Sequence, residues 1–280
     1  MAQESGKLEQ LSPRLEQLRS GLAQRIPCET LAARQELEGK QLTDLLIAYL
    51  TWQARLIRPR PRDVVIWPEV LNSPHYAQYK GSIADIRREF ETGQDMNCRL
   101  SDLAHKRTYS GSPPQPASMP REQWLKAFWR DKDRTRVTLD AHHLHMGQRN
   151  LQGTVGRTGP LLFVGITTDT AVFLTIGDHN SFDDGTISML MATHLNAADV
   201  GSAPAGGALL PGPGITLGGT QIKDTFGAID LAKALKAVDR ELTEAGFPNP
   251  AQKEIHMDFD DVVVIDTAAG TEERRVPGRL

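Results

Sequence analysis

Apolar residues in LSPRLEQLRSGLAQRIP fall at Leu15, Leu18, Leu22 and Ile26, the three-or-four spacing that places them on one helical face. Ser12 followed by Pro13 gives this helix its start: a serine hydroxyl accepts from the orphan amides of the first turn, and proline there forfeits no needed donor. Pro27 ends it. In QLTDLLIAYLTWQARLI the apolar positions occupy most of the circumference, which predicts a helix central to the N-terminal core. The stretch RPRPRDVVIWPEV cannot be a helix interior, because each proline removes a donor and restricts its predecessor; it is expected to be extended. SIADIRREFETG predicts a short helix, with Ser82 as cap, Ile83, Ile86 and Phe90 as the buried stripe and Gly93 just past the end.

Residues 110 to 120, SGSPPQPASMP, are too rich in Pro, Ser and Gly for regular structure and mark a linker. PREQWLKAFWR after it is helical in pattern, and then the period changes. TRVTLDAHHLHM, PLLFVGITTD and TAVFLTIGD are β-branched and aromatic, with Thr168-Asp169 as a tight turn, so residues 161 to 177 are expected to form an antiparallel hairpin. GTISMLMATHLNAA returns to helical spacing, residues 201 to 220 read as a Gly/Pro loop, and DTFGAIDLAKALKAVDRELTEAG is a long helix. EIHMDFDDVVVIDTAAG closes the pattern as a second hairpin turning at Asp260-Asp261. The expected fold is α+β: a helical N-terminal region (1–109), the linker (110–120), a small antiparallel sheet with packed helices (121–200), and a C-terminal loop, helix and β-hairpin (201–280).

Composition adds bounds to this pattern. The 280 residues, 39% hydrophobic and 24% charged, are enough for a sizeable core and typical of a globular chain. No apolar run approaches the roughly 20 residues a membrane span requires, and MAQESGKLEQ has no apolar signal region, so a cytoplasmic protein without a membrane partner is expected. Cys28 and Cys98 lie in segments that read as helical and are expected to be buried thiols, not a disulfide or metal clip. Residues 1–140 carry 22 basic against 18 acidic side chains, and 141–280 carry 10 against 17, so a polyanionic partner would meet the first half.

The candidate chemistry sits in the strands. DAHHLHMG packs three imidazoles into four positions, and GDHNSF delivers another after a β-like run. On a strand His143 and His145 share one face while His142 points to the other. Two imidazoles on one face with His179 at a neighbouring strand end would suit proton transfer near neutral pH, or a metal.

LLFVGITTDTAVFLTIGDHNSF resembles the C-terminal hairpin of the RelE superfamily of ribonuclease toxins, in particular the YafQ branch, in which a paired-strand segment ends in Gly-x-His followed by a polar and an aromatic residue. The preceding His-rich strand is similar too, and the resemblance covers residues 137–182. It implies an antiparallel sheet with helices packed on one face and cleavage of RNA without a metal or other cofactor. His179 matches the histidine after the last strand, and either His143 or His145 the one on the strand before. The insertion GQRNLQGTVGRTG, the greater length and the acidic net charge depart from the family. Its implied partners are RNA, including ribosome-bound mRNA, and a cognate protein inhibitor.

Cleaving RNA through its own 2′-hydroxyl needs a base, an acid and cationic help for the charged phosphorane. Two of these histidines can share the first two roles, Arg149 or Arg157 can supply the third, and Asp178 can orient an imidazole or serve as a turn residue. Arg58, Arg60 and Arg62, beside Arg55, Trp52 and Trp67, form an acid-free basic run suited to phosphate contact and base stacking, or to a solvated connection. Two alternatives stay open: a His-ligated zinc hydrolase using Asp183 or Asp184, and a non-catalytic interaction or defence-associated protein that keeps the fold. GPGITLGGT lacks the lysine of a P-loop, HNS has no second copy of a cyclic-phosphate signature, and Ser181 and Ser188 lack a nucleophile-elbow context.

Overall fold

The computed structural model describes residues 10–101, 104, 108–111, 119–128, 136, 140–178, 181, 185–187, 189–190 and 221–275. In chain order the elements are α1 (Pro13–Arg25), α2 (Leu31–Glu38), α3 (Leu42–Gln53), β1 (Asp63–Ile66), α4 (Pro68–Leu71), α5 (Tyr76–Glu91), α6 (Arg121–Phe128), β2 (Ala141–His145), β3 (Leu161–Ile166), β4 (Thr170–Gly177), α7 (Ile222–Glu244), β5 (Lys253–Asp258), β6 (Asp261–Asp266) and β7 (Thr271–Arg275). The fold is α+β, with one four-stranded and one three-stranded sheet. The chain divides into two compact units that are discontinuous in sequence: 1–53 with 107–131 and 222–280, and 54–106 with 132–221. Grouping therefore follows tertiary packing and not the linear order 1–109, 121–200, 201–280.

In the first unit the Ser12 hydroxyl accepts from the Leu15 amide at 3.2 Å and Pro13 begins α1, as the sequence predicts. Thr30 caps α2 in the same way, accepting from Ala33 at 3.1 Å. Leu15, Leu18 and Leu22 of α1, Leu42, Leu45, Leu46 and Tyr49 of α3, and Leu231, Leu235, Val238 and Leu242 of α7 form one core, closed by Ile255, Met257, Val262 and Val264 from the sheet. Arg14 is fully buried within it, held by Asp239 and by the Lys253 and Phe247 carbonyls. The C-terminal hairpin gains a third strand, β7, and its turn falls one residue earlier than expected, at Phe259-Asp260, with Phe259 at φ +56°. Cys28 makes a β-bridge with Tyr109 and is half-buried, so it is neither helical nor a core thiol.

The second unit holds the sheet of order β1-β4-β3-β2. β2, β3 and β4 run antiparallel in sequence, with the β3–β4 turn at Thr168-Asp169 as expected. β1, read only as extended from its Arg/Pro lead-in, adds a parallel edge to β4 through Asp63↔Thr170 to Ile66↔Phe173. One face carries Leu144, Met146, Leu162, Val164, Phe173 and Ile176, packed under Ile83, Ile86 and Phe90 of α5. The other carries Ala141, Leu161, Phe163 and Leu174, with Ile187 against them. Phe163 pairs with Thr175 but Val164 with Phe173, so Leu174 is the extra residue of a β-bulge. Helix α5 begins at Tyr76, six positions before the predicted Ser82 cap. Cys98, expected in the core, is half-buried in a 3₁₀ turn.

Candidate active site

Alternation along β2 puts His142 with Leu144 and Met146 on the α5 side, where it is buried, at 8% exposure. His143 and His145 share the opposite face. His143 registers with Phe163, and the two rings sit 6.5 Å apart between centroids at 44°. His145 registers with Leu161 and is buried.

The two strand histidines are not equivalent. His145 Nδ1 lies 3.1 Å from the Thr158 amide nitrogen and 3.3 Å from the Thr158 carbonyl oxygen, so the Thr158 backbone holds that edge of the ring. The Thr158 hydroxyl accepts from the Met146 amide at 3.1 Å and donates to the Pro160 carbonyl at 2.6 Å. His145 thereby fastens the 147–159 insertion to β2. That insertion is an ordered tongue: Arg149 bridges to Val155, Asn150 Oδ1 accepts from the Thr154 amide at 2.9 Å, and Gly147 lies so close to the Gly156 carbonyl that a Cβ would overlap it.

Leu161 pairs with His145 on one side and with Gly177 on the other, so β4 ends two strand spacings, about 9–10 Å, from His145. Asp178 and Ser181 then cap each other: the Asp178 amide donates to Ser181 Oγ at 3.1 Å, and the Ser181 amide donates to Asp178 Oδ1 at 3.2 Å. This is the turn role foreseen as one option for Asp178. Ser181 and Phe163 lie on the same side of Gly177, since a Cβ there would stand 2.6 Å from Ser181 Oγ and 3.1 Å from the Phe163 ring. His179, Asp183, Asp184 and Ser188 lie outside the described residues.

The arginines separate from the histidines. Arg62 is 7% exposed and donates to the carbonyls of Thr167 (3.0 Å), Arg58 (3.0 Å) and Arg60 (3.3 Å). Burial, with the charges of Arg60 and Arg58 adding, pushes its pKa down to about 10. Arg60 stands 3.6 Å from Asp169, and Arg58 is half-buried. This run therefore clips the β3–β4 turn, at the opposite end of β4 from Asp178. Eight strand residues separate those ends, roughly 23 Å. The contacts of Arg60 with Asp169 and of Arg62 with Thr167 place this run at the β3–β4 turn and not at the Asp178 end of β4.

Arg157 donates to the Leu100 carbonyl at 2.6 Å, on the tongue's return. Arg149 reaches the α5 side and meets a cluster the sequence did not reveal. Arg99, 1% exposed, grips Glu89 through Nε–Oε2 at 2.6 Å and Nη2–Oε1 at 2.9 Å, while its Nη1 reaches the His145 and Gly147 carbonyls. Arg149 Nε adds a bond to Glu89 Oε1 at 3.2 Å and its Nη2 one to the Asp95 carbonyl at 2.8 Å. Burial pushes the Glu89 carboxyl upward, but the hydrogen bonds and charges of Arg99, with Arg149 adding, outweigh it and hold the group below its ordinary value. The only available signal was position: Glu89 flanks the Ile83, Ile86, Phe90 stripe of α5, where a carboxylate is half inside.

Among the described residues no three His, Cys, Asp or Glu side chains are grouped to hold a metal ion, and no helix is long and apolar enough to cross a membrane. No family model, curated protein or solved structure matches the chain.

Proposed function

We propose that the second unit is a RelE-like, metal-independent endoribonuclease whose reacting face is that of His143. The observation that carries this reading is that Ser181, just past the end of β4, and Phe163, the residue that registers with His143, lie on the same side of Gly177. The antiparallel run β2-β3-β4 with α5 packed on one face also accords with the architecture the resemblance implies. His143 is the strand histidine of this proposal, because it is partly exposed whereas His145 is buried. One of His143 and His179 takes the 2′-hydroxyl proton, the other protonates the departing 5′-oxygen, and the products are a 2′,3′-cyclic phosphate and a 5′-hydroxyl. His143→Ala and His179→Ala should each slow cleavage by about 100-fold or more without loss of fold, and chelators should leave the rate unchanged. Retention of full activity by both variants, or no cleavage by folded wild-type protein on many RNAs with and without ribosomes, overturns the proposal.

A second reading, a non-catalytic interaction protein, is favoured by one specific observation. Arg149 is bonded to Glu89 on the α5 side and Arg157 to the Leu100 carbonyl, so the cationic help expected from them at a phosphorane is directed away from the His143 face. RNA binding that keeps its salt slope in Arg58→Ala/Arg60→Ala, with no cleavage, would select that reading.

A further inference from the structure

The C-terminal half of α5, the 3₁₀ turn Asn97–Arg99 and the tongue after β2 form an open polar cavity of about 240 Å³ lined by Asp85, Arg88, Glu89, Gln94, Arg99, Gln148 and Arg149. Three guanidinium groups face two carboxylates, which leaves one positive charge in excess. Both oxygens of Glu89 are taken, Oε2 by Arg99 Nε and Oε1 by Arg99 Nη2 and Arg149 Nε, so this carboxylate is neutralised within the wall. Asp85 pairs with Arg88 at 3.3 Å on the exposed rim. Arg149 spends Nε and Nη2 on the wall and is 27% exposed on its side chain. Gln94 and Gln148, both exposed, add neutral amide donors at the mouth. Arg99 cannot move, held as it is by four hydrogen bonds and almost complete burial. Gly147 packed on Gly156 fixes the backbone immediately before Gln148 and Arg149.

A guanidinium tethered by two bonds, Arg149, with the exposed Arg88, one positive charge in excess and neutral amide donors beside them are complementary to a tetrahedral oxyanion. We infer that this cavity is a phosphate-binding site, with Arg149 and Arg88 as its cations and Gln94 and Gln148 as its neutral donors. It lies on the α5 side of the sheet, away from the His143 face, and is distinct from the proposed ribonuclease site. The phosphate it takes comes from an RNA backbone or from a free phosphomonoester, and both present the same oxygens to these donors.

The test is titration of the full chain with inorganic phosphate at constant ionic strength, read by two-dimensional NMR shifts of the Gln94 and Gln148 side-chain amides. Saturable shifts are expected in wild type. Gln148→Glu and Gln94→Glu place a carboxylate at exposed positions without disturbing the Glu89–Arg99 pair, and each should weaken phosphate by about tenfold or more. Arg149→Lys keeps the charge but loses the fork, and should weaken it severalfold. Arg87→Ala, on the same helix but outside the cavity, is the control and should bind as wild type. Absence of saturation, or equal losses in Arg87→Ala and Gln148→Glu, overturns the inference. With the site established, tighter binding of a short non-cleavable 2′-O-methyl oligonucleotide than of a nucleoside monophosphate assigns the backbone source, and the reverse order assigns the free ester. Phosphate binding that persists while cleavage is absent removes the ribonuclease proposal alone.

Discussion

Glu89→Gln removes the negative charge beneath Arg99 while keeping the side chain's shape. Arg99 is 1% and Glu89 9% exposed on their side chains, so water cannot replace the lost carboxylate. Removing one partner of a buried ion pair costs about 3–5 kcal/mol, because the remaining charge stays buried. Arg99 keeps its bonds to the His145 and Gly147 carbonyls, which favours the lower end, about 3 kcal/mol. The Arg149 contact adds under about 1 kcal/mol, since that side chain is 27% exposed and solvent screens it. In urea this moves the unfolding midpoint by about 1–3 M, and amide exchange in α5 and β2 reports the affected unit directly. The pH dependence has a definite sign. Glu89 has a folded-state pKa below the ordinary 4.5, so its contribution is fully present above that value and is lost as pH falls through the folded one. The gap between wild type and Glu89→Gln should be wide at pH 7 and close only in acid. A gap under about 1 kcal/mol at pH 7, or one that does not change with acidification, refutes the reasoning. The double change Glu89→Leu/Arg99→Met should recover much of the loss, because it removes both charges together.

Asp239→Asn leaves Arg14, 2% exposed, without its carboxylate, and should destabilise the first unit by about 3 kcal/mol; a urea midpoint shift equivalent to under about 1 kcal/mol would sink the buried-pair account. Gly177→Ala drives a methyl group to 2.6 Å from Ser181 Oγ and 3.1 Å from the Phe163 ring, so the turn must shift, at about 1–3 kcal/mol. Unchanged stability and unchanged amide shifts at Phe163 would show that Ser181 and Phe163 do not crowd Gly177.

Elements that carry their own period were readable from the chain. The Ser12-Pro13 start of α1, the apolar wrap of α3 and the stripe of α7 are each written locally, and burial follows them. Helix α5 shows where local punctuation is overridden. Ser82 reads as a start just after Gly81, yet Tyr76 and Tyr79 extend the Ile83, Ile86, Phe90 stripe backwards and pack on the same core. Tertiary packing outweighs the helix propensity lost at one glycine, about 1 kcal/mol. Strand β7 shows the opposite case. Thr271–Arg275 has no apolar alternation to detect, and its charged, exposed residues suit a solvated sheet edge. It exists because β6 offers a second ladder and Asp266 Oδ1 organises the turn by accepting from Ala268 and Ala269.

The candidate site was half legible for a related reason. Strand alternation placed His143 and His145 on one face and His142 on the other, since the two-residue period is a property of the backbone alone. What distinguishes His143 from His145 is Thr158, 13 residues from His145 across a folded-back tongue, and no spacing rule encodes that contact. Arginine is the hardest residue to read in this way, because its five donors serve a phosphate or a carbonyl equally well. Pro59 and Pro61 remove two amide donors from the lead-in to β1, and Arg62 places its guanidinium among the Arg58, Arg60 and Thr167 carbonyls. A proline-interrupted arginine run thus binds its own backbone here. Arg149, paired with a Glu89 sixty residues away, keeps part of its fork turned to a cavity. The arginine to test for phosphate is therefore Arg149, because the Arg58–Arg62 run, though denser in charge, has its buried member engaged by the backbone.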